Sequence, residues 1–523
     1  MLQYSLIFLL SFSTIKSQPR DSIPVFNFIQ DGNITSLTDF LKVHEVNSRY
    51  GLDSITLLTY AILTNQHTVI QFLVEYGADV NQYYLGSPPL SLAVLNNHHR
   101  TVKLLLNHGA LINALDSKGN SALILAASKG DLEMTKLLVR KGANINYKNP
   151  VFDRAYDIAV KSNYPEVSQY LRDQIERNLP DMSDGPFITW NNERIRTYYL
   201  VHDSAKNITK KIRHNFQVKT DTFSFKGYAG DCTIYRIKQY VNIPGDEFSN
   251  INHILVIGDL HGGYDSLLVF LRNNQVIDKD NNWMWGDGHL VFIGDVFDRG
   301  EKVTEIFWLI YQLEAQAVEQ GGMVHFILGN HELMIMRNES IYIADKYFYL
   351  SKKSKTTYSS LFNKNTVLGK WLRSRNTVIR VNDFIFVHAG ISPELAASGL
   401  SINEINNMVR FKLKYPERRP FNPELEMIIL GHTGPFWYRG YFESSKYYNK
   451  LTDKELDGIL LAYKASSIFI GHTNVSSITP TYGNRIYPLD VPFYSYGYPM
   501  YGLLIQDNSI QLVNSSGASL KIE

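Results

Sequence analysis

A chain of 523 residues, 44% hydrophobic and 20% charged, is long and apolar enough for two or three folded domains, and this composition excludes disordered and collagen-like classes. Lys plus Arg number 52 against 50 for Asp plus Glu, so no chain-wide field draws the protein onto nucleic acid or an anionic membrane, and runs such as Lys210-Lys211-Ile212-Arg213 read as solvated faces. The single cysteine, Cys232, excludes an intramolecular disulfide and a thiolate zinc site.

At the amino terminus the apolar run Leu6 to Phe12 passes into the polar stretch Thr14 to Gln18. This is the order of a secretory signal peptide, which we place at residues 1–18 although no Lys or Arg precedes the run. The run is far shorter than the roughly 20 residues of a spanning helix, so no transmembrane span is expected. A secreted or periplasmic location follows; a cytoplasmic protein with an apolar terminus is the alternative.

A repeat comes next. Gly77-Ala78-Asp79-Val80-Asn81 recurs as Gly109-Ala110-Leu111-Ile112-Asn113 and Gly142-Ala143-Asn144-Ile145-Asn146, at steps of 32 and 33 residues. Ala61, Ala93, Ala126 and Ala159 keep the same beat, each beside apolar neighbours. An alanine on this period fits where two helices approach closely, and the glycine opens the turn after the second helix. Leu132, Thr135, Leu137 and Leu138 fall at helical spacing and supply a face that only a neighbouring unit can bury. Over residues 22–175 the pattern resembles ankyrin repeats, with Phe26–Leu41 and Tyr156–Leu171 as degenerate end units. The resemblance implies an all-α solenoid that binds a protein partner and carries no catalysis.

From Arg172 the pattern changes through Asn178-Leu179-Pro180-Asp181 and Ser183-Asp184-Gly185-Pro186, read as a hinge near residue 180, to alternating stretches such as Thr222–Lys226 and Thr233–Ile237, read as strands. Five short clusters then follow apolar strand-like runs. They are Gly258-Asp259-Leu260-His261-Gly262, Gly294-Asp295-Val296-Phe297-Asp298-Arg299-Gly300, Gly329-Asn330-His331-Glu332, His388-Ala389-Gly390 and Gly471-His472-Thr473. A strand that ends in a glycine turn lifts polar side chains onto the carboxyl edge of a sheet, where α/β proteins place their sites. Carboxylates, an amide oxygen and imidazoles together suit iron, manganese or zinc better than calcium. Asp295, in the middle of the set, is the natural bridge between two ions about 3.5 to 4 Å apart.

This order of motifs resembles the calcineurin-like metallophosphoesterases over residues 184–520, and Asp298-Arg299-Gly300 with Gly329–Glu332 narrows the resemblance to the phosphoprotein phosphatases. It implies an α/β domain with a β-sandwich core flanked by helices, and two divalent or transition metal ions. Asp259, His261 and Asp295 would hold one ion, and Asp295, Asn330, His388 and His472 the other. His331 would be the general acid, oriented by Asp298, with Arg299 and Arg439 clamping the phosphate. Ala389 in the fourth motif and the last histidine in Gly-His-Thr point to the bacterial or Shewanella-like branch. A second Gly-His-Thr at Gly431–Thr433 makes His432 the rival of His472, which is preferred because Ile468-Phe469-Ile470 precedes it and a strand-like Arg485–Asp490 follows.

The implied chemistry is direct hydrolysis by a water that two metals activate, with a phosphorylated protein or a small phosphoester as substrate. A serine/threonine-type protein phosphatase is the leading expectation. Hydrolysis of a nucleotide or dinucleoside polyphosphate is the alternative, and an ankyrin scaffold with an inactive phosphatase domain the alternative of another class.

Overall fold

A computed structural model describes residues 24–51, 53–151, 153–177, 180–227, 233–419, 422–493, 499–507 and 509–522. The segment 1–18 read as a signal peptide and Cys232 lie outside these residues. Residues 1–179 and 180–523 form separate compact units.

The first unit is a stack of five helix pairs: α1 (Pro24–Gln30) with α2 (Ile34–Leu41), α3 (Leu57–Leu63) with α4 (His67–Glu75), α5 (Pro89–Leu95) with α6 (His99–Asn107), α7 (Ala122–Ser128) with α8 (Leu132–Arg140), and α9 (Ala155–Lys161) with α10 (Pro165–Arg177). Thr56 and Ser121 cap α3 and α7 through their hydroxyls, and Pro89 opens α5 with a preset φ. Ala61, Ala93, Ala126 and Ala159 are fully buried where successive first helices pack. Gly77, Gly109 and Gly142 all adopt positive φ after the second helix, as the repeat requires. The repeated asparagine is a staple between units: Asn81 Oδ1 accepts from Leu111 N at 2.8 Å while its Nδ2 donates to Gly109 O at 3.1 Å. Asn113 Oδ1 likewise accepts from Asn144 N at 2.9 Å. Apart from a two-residue ladder of Arg49–Tyr50 with Ile55–Thr56 and the isolated bridges Tyr84–Ser87 and Leu115–Ser121, the regular structure of the described part of the unit is helical, as expected of a solenoid.

The second unit opens with a three-stranded antiparallel sheet of ten-residue strands, β1 (Met182–Asn191), β2 (Arg194–Asp203) and β3 (Ile208–Gln217), and a hairpin, β4 (Thr222–Lys226) with β5 (Ile234–Lys238). Here the structure corrects the sequence reading. Ser183 to Pro186 is part of β1, with the register shifting between Asp184 and Phe187, so the glycine and proline mark a bulge rather than a loop.

Two larger sheets make the core. Strands β6 (Glu247–Phe248), β7 (His253–Ile257), β8 (His289–Phe292), β9 (Met323–Phe326), β10 (Val378–Val381), β11 (Phe384–Val387), β12 (Ser467–Ile470), β13 (Ile486–Pro488), β14 (Tyr501–Gln506), β15 (Ser509–Asn514) and β16 (Ser519–Lys521) divide between them. One sheet has the order β9-β8-β7-β14-β15-β16 and the other β13-β12-β11-β10-β6. Their inner faces meet through Ile254, Val256, Val291, Ile293, Ile379, Phe386, Phe469 and Leu503, alternate residues of each strand as a sandwich demands. The opposite faces pack on helices, chiefly α11 (Tyr264–Asn273) and α12 (Val303–Glu319), in one large aromatic-rich cluster. Strands β7, β8 and β9 run parallel, as do β11, β12 and β13. Five of these six strands deliver the motif turns from their carboxyl ends, and that parallel arrangement gathers the polar residues at one rim.

Candidate metal centre

Asp295 is the hub. Its Oδ2 lies 3.4 Å from His388 Nε2 and 3.8 Å from both His261 Nε2 and His331 Nε2. Two buried groups of metal-capable side chains share it: His261, Asp295 and His331, and Asp295, His388 and His472, with the ligand atoms of each group within 4.8 Å of one another. Asn330 joins the second group, because its Oδ1 lies 2.8 Å from His388 Nε2 and 2.9 Å from His472 Nδ1. Asp259 belongs to neither group. Both its oxygens accept from His472 N at 3.2 Å, and burial, then the neighbouring Asp490, push its carboxyl well above the usual range.

The backbone is bent to make this geometry. His261, Asp295, Asp298, Arg299 and His472 all adopt positive φ, a region that costs a residue with a Cβ and is held only by its surroundings. Glu332 does much of the holding. Its buried carboxylate accepts from Gly329 N at 2.8 Å, Asp295 N at 2.8 Å, Val296 N at 2.9 Å and Phe297 N at 3.3 Å, tying the second motif turn to the third. A Cβ at Gly329 would meet Asp295 Oδ1 at 2.2 Å, so the glycine there is a matter of space.

The donor set fits cations. His261 Nδ1 donates to Phe297 O at 2.7 Å and His388 Nδ1 to Ile293 O at 2.7 Å, so both present Nε2 to the centre, as backbone carbonyls orient ligating imidazoles. Those Nε2 atoms then face carboxylate and amide oxygens, acceptor against acceptor, unless a cation intervenes. A proton can play that part: burial pulls the His388 ring down, but Asp295 and Asp259 more than reverse this and lift it to about 10. Burial also raises the Asp295 carboxyl, yet His388, His331 and His261 together hold it well below the usual carboxylate range. His261 and His472 are driven well below the usual imidazole range, first by burial, and so stay neutral and able to ligate.

His331 sits apart in its bonding. Its Nδ1 is held by Asp298 Oδ2 and its backbone N donates to Asp295 Oδ1 at 3.0 Å. Burial lowers its ring, but Asp295 and Asp298 outweigh burial and raise it. Arg299 N donates to Tyr342 O at 3.0 Å, and its guanidinium influences His261 and His331. Arg439 Nε donates to His472 Nε2 at 3.1 Å. The structure thus brings all ten expected residues to one rim. His432 is absent from it, exposed and stacked on Tyr447 with ring centroids 3.8 Å apart.

Sequence reasoning gave no role to Glu332 or to Asp490. Burial pushes Asp490 up to about 6, and Asn474 Nδ2 donates to it at 2.6 Å. Glu332 could have been suspected from its place beside His331, and Asp490 from closing the Arg485–Asp490 strand.

Residues 253–476 match the family model for calcineurin-like phosphoesterases, and residues 26–116 and 90–181 match that for ankyrin repeats. The chain is 31% identical over 269 residues to Shewanella-like protein phosphatase 1 of Plasmodium berghei, covering 50% of this chain and 73% of that one. The chain belongs to the calcineurin-like metallophosphoesterases. Among solved structures, a cold-active protein-tyrosine phosphatase of a psychrophilic Shewanella superposes on this metallophosphoesterase with a TM-score of 0.58 at 30% identity, over 65% of this chain and 100% of that one. A symmetrical bis(5'-nucleosyl)-tetraphosphatase of Vibrio vulnificus is 29% identical over 157 residues, 30% of this chain and 51% of its own. The metallophosphoesterase is a phosphoester hydrolase of a family that uses two metal ions, and its helical array is an ankyrin domain.

Proposed function

We propose that this chain is a protein phosphatase, of serine/threonine type, whose ankyrin domain binds a protein partner. The observation that carries the reading is the buried His331–Asp298 pair beside the Asp295-centred cluster. Alkyl esters such as phosphoserine have poor leaving groups and need a proton delivered as the bond breaks. His331 supplies one: Asp298 fixes Nδ1, so Nε2 presents the proton to the departing oxygen.

Residues Asp259, His261 and Asp295 would hold one ion, and Asp295, Asn330, His388 and His472 the other. Bound there, two such ions lower the pKa of a water and offset the charge that develops on the phosphoryl group. Arg299 and Arg439 fork onto the phosphate oxygens. For Arg439 this entails a change of partner. While His472 Nε2 accepts from Arg439, Nδ1 carries the ring proton toward Asn330 Oδ1; were Nδ1 to serve an ion, the ring would need the other tautomer, whose Nε2–H cannot accept from Arg439 and would leave that guanidinium free for substrate.

A second reading, phosphotyrosine hydrolysis, is favoured by Tyr342, half exposed with its ring 5.6 Å from that of His331, where a substrate ring could stack. The tyrosine phosphatase named among the solved relatives supports it. The deciding experiment compares kcat/KM for phosphoserine, phosphothreonine and phosphotyrosine peptides and diadenosine tetraphosphate after loading with manganese, iron or zinc. The proposal predicts that phosphoserine or phosphothreonine leads; a lead for the dinucleotide would overturn it. Export, secreted or periplasmic, is proposed from residues 1–18, and sequencing the amino terminus of the mature chain tests it against the cytoplasmic alternative.

A further inference from the structure

Near Asp298 several buried polar side chains are used by no step of the hydrolysis. Asp298 gives Oδ2 to His331 Nδ1, whereas its Oδ1 has no hydrogen-bond partner among the described residues, although the side chain is 0% exposed. Tyr358 presents the complementary defect. Its hydroxyl is buried without a hydrogen-bond partner among the described residues, and its ring stands edge-on to Phe297, the residue before Asp298, with centroids 6.1 Å apart. The carboxylates whose charge reaches this phenol are Asp184, Asp298 and Glu305.

The acidic group of Asp184 and Glu305 is also incomplete. Asp184 Oδ1 and Oδ2, Thr304 Oγ1 and Glu305 Oε2 are buried, and among the described residues the Asp184 carboxyl has only the weak support of the Thr304 hydroxyl and the Gly185 backbone. Lys346 Nζ stands 3.9 Å from Asp184 Oδ1 and 3.3 Å from Glu305 Oε1 and neutralises part of the charge. Unpaired polar atoms are rare in protein interiors, and where the protein supplies no partner, buried water does. The inventory of donors sets the direction. An ionised Asp298 can only accept, and the tyrosine hydroxyl has one proton to give.

We propose that Tyr358 is a positioning residue for the acid: its hydroxyl donates to Asp298 Oδ1 through one buried water. A carboxylate held at one oxygen can swing about χ2, a broad torsion. Held at both, it keeps Oδ2 on His331 Nδ1 and aims Nε2 at the leaving group. The inference rests on the acid role proposed for His331.

Tyr358→Phe removes one oxygen and little volume. Metal content and KM should stay as they are, while kcat for an alkyl phosphoester falls roughly tenfold, a fraction of the 10² to 10⁴ that a general acid supplies. p-Nitrophenyl phosphate, whose leaving group needs little protonation, should be hydrolysed at nearly the unsubstituted rate. Added to His331→Asn, the change should have no further effect on either substrate. Equal losses on both substrates, or losses that multiply with those of His331→Asn, would overturn the proposal, since a merely structural tyrosine behaves so. If His331→Asn itself spares alkyl esters, the acid reading fails instead. A crystal structure of the unsubstituted protein decides independently of how the variant folds: the hydroxyl must share one water with Asp298 Oδ1, and a hydroxyl turned only to Asp184 refutes the idea.

Discussion

Glu332→Gln probes the scaffold of the centre without touching a proposed ligand. The carboxylate serves four backbone N–H groups, Gly329 and Asp295 on Oε2, Val296 and Phe297 on Oε1. Glutamine keeps one acceptor oxygen, so two of the four N–H groups lose their partner and face an NH₂ group instead. A hydrogen bond to a charged group contributes about 1.5 to 3 kcal/mol, so the expected loss of stability is about 3 to 6 kcal/mol. Because the released amides belong to the Asp295 or the Gly329 turn, metal content should fall with stability. Denaturant unfolding followed by tryptophan fluorescence, with metal content by mass spectrometry on the same samples, reads both. Wild-type stability together with full metal occupancy would refute the claim that Glu332 holds the two turns in place.

Three further changes test other links. His331→Asn should leave metals bound and lower kcat for an alkyl phosphoester by roughly 10² to 10⁴, with a smaller drop for p-nitrophenyl phosphate; metal loss would instead make His331 a ligand. Arg439→Ala should raise KM and the inhibition constant of inorganic phosphate more than it lowers kcat, whereas His432→Ala, on an exposed stacked ring, should change neither. Burial pushes the Asp184 carboxyl up to about 6 from its ordinary 3.8, with Lys346 opposing. A raised carboxyl favours the folded state at low pH and withdraws that support as pH climbs from about 4 to 6 and beyond. Asp184→Asn should therefore match the parent in stability below pH 4 and exceed it above pH 7, by up to about 3 kcal/mol, in unfolding curves taken across pH. A variant less stable at pH 8 would show that the pair with Lys346 outweighs burial.

The site was legible because its chemistry restricts residue type. Only carboxylates, imidazoles and an amide can supply the donors, and each follows a strand, Asp259, Asp295, Asn330 and His472 directly after a glycine and His388 two residues before one, so they stand out within their own short stretches. The solenoid was legible for a related reason: each unit solves the same packing problem, so Ala61, Ala93, Ala126 and Ala159 recur on one beat. Residues whose importance comes from distant partners were not legible. Asp184 meets Lys346, and Tyr358 meets Phe297, only after the chain has folded, and nothing beside them in sequence marks the meeting. The stretch Ser183–Pro186 misled because glycine and proline suit a bulge in an edge strand as well as a turn. The choice between two Gly-His-Thr motifs lay in the preceding strand, since β12 ends at Ile470 and lifts His472 into the cluster, whereas Gly431 closes a helix, Pro423–Leu430.

The residues gathered around Asp295 would hold two metal ions, and hydrolysis would depend on both. Metal-free chain should be titrated with manganese while bound metal per chain and phosphoester turnover are measured on the same samples. The account predicts saturation at two ions, turnover that rises with the second, and loss of both ions together in Asp295→Asn. Full turnover in metal-free protein, or saturation at a single ion that Asp295→Asn leaves unchanged, would contradict it.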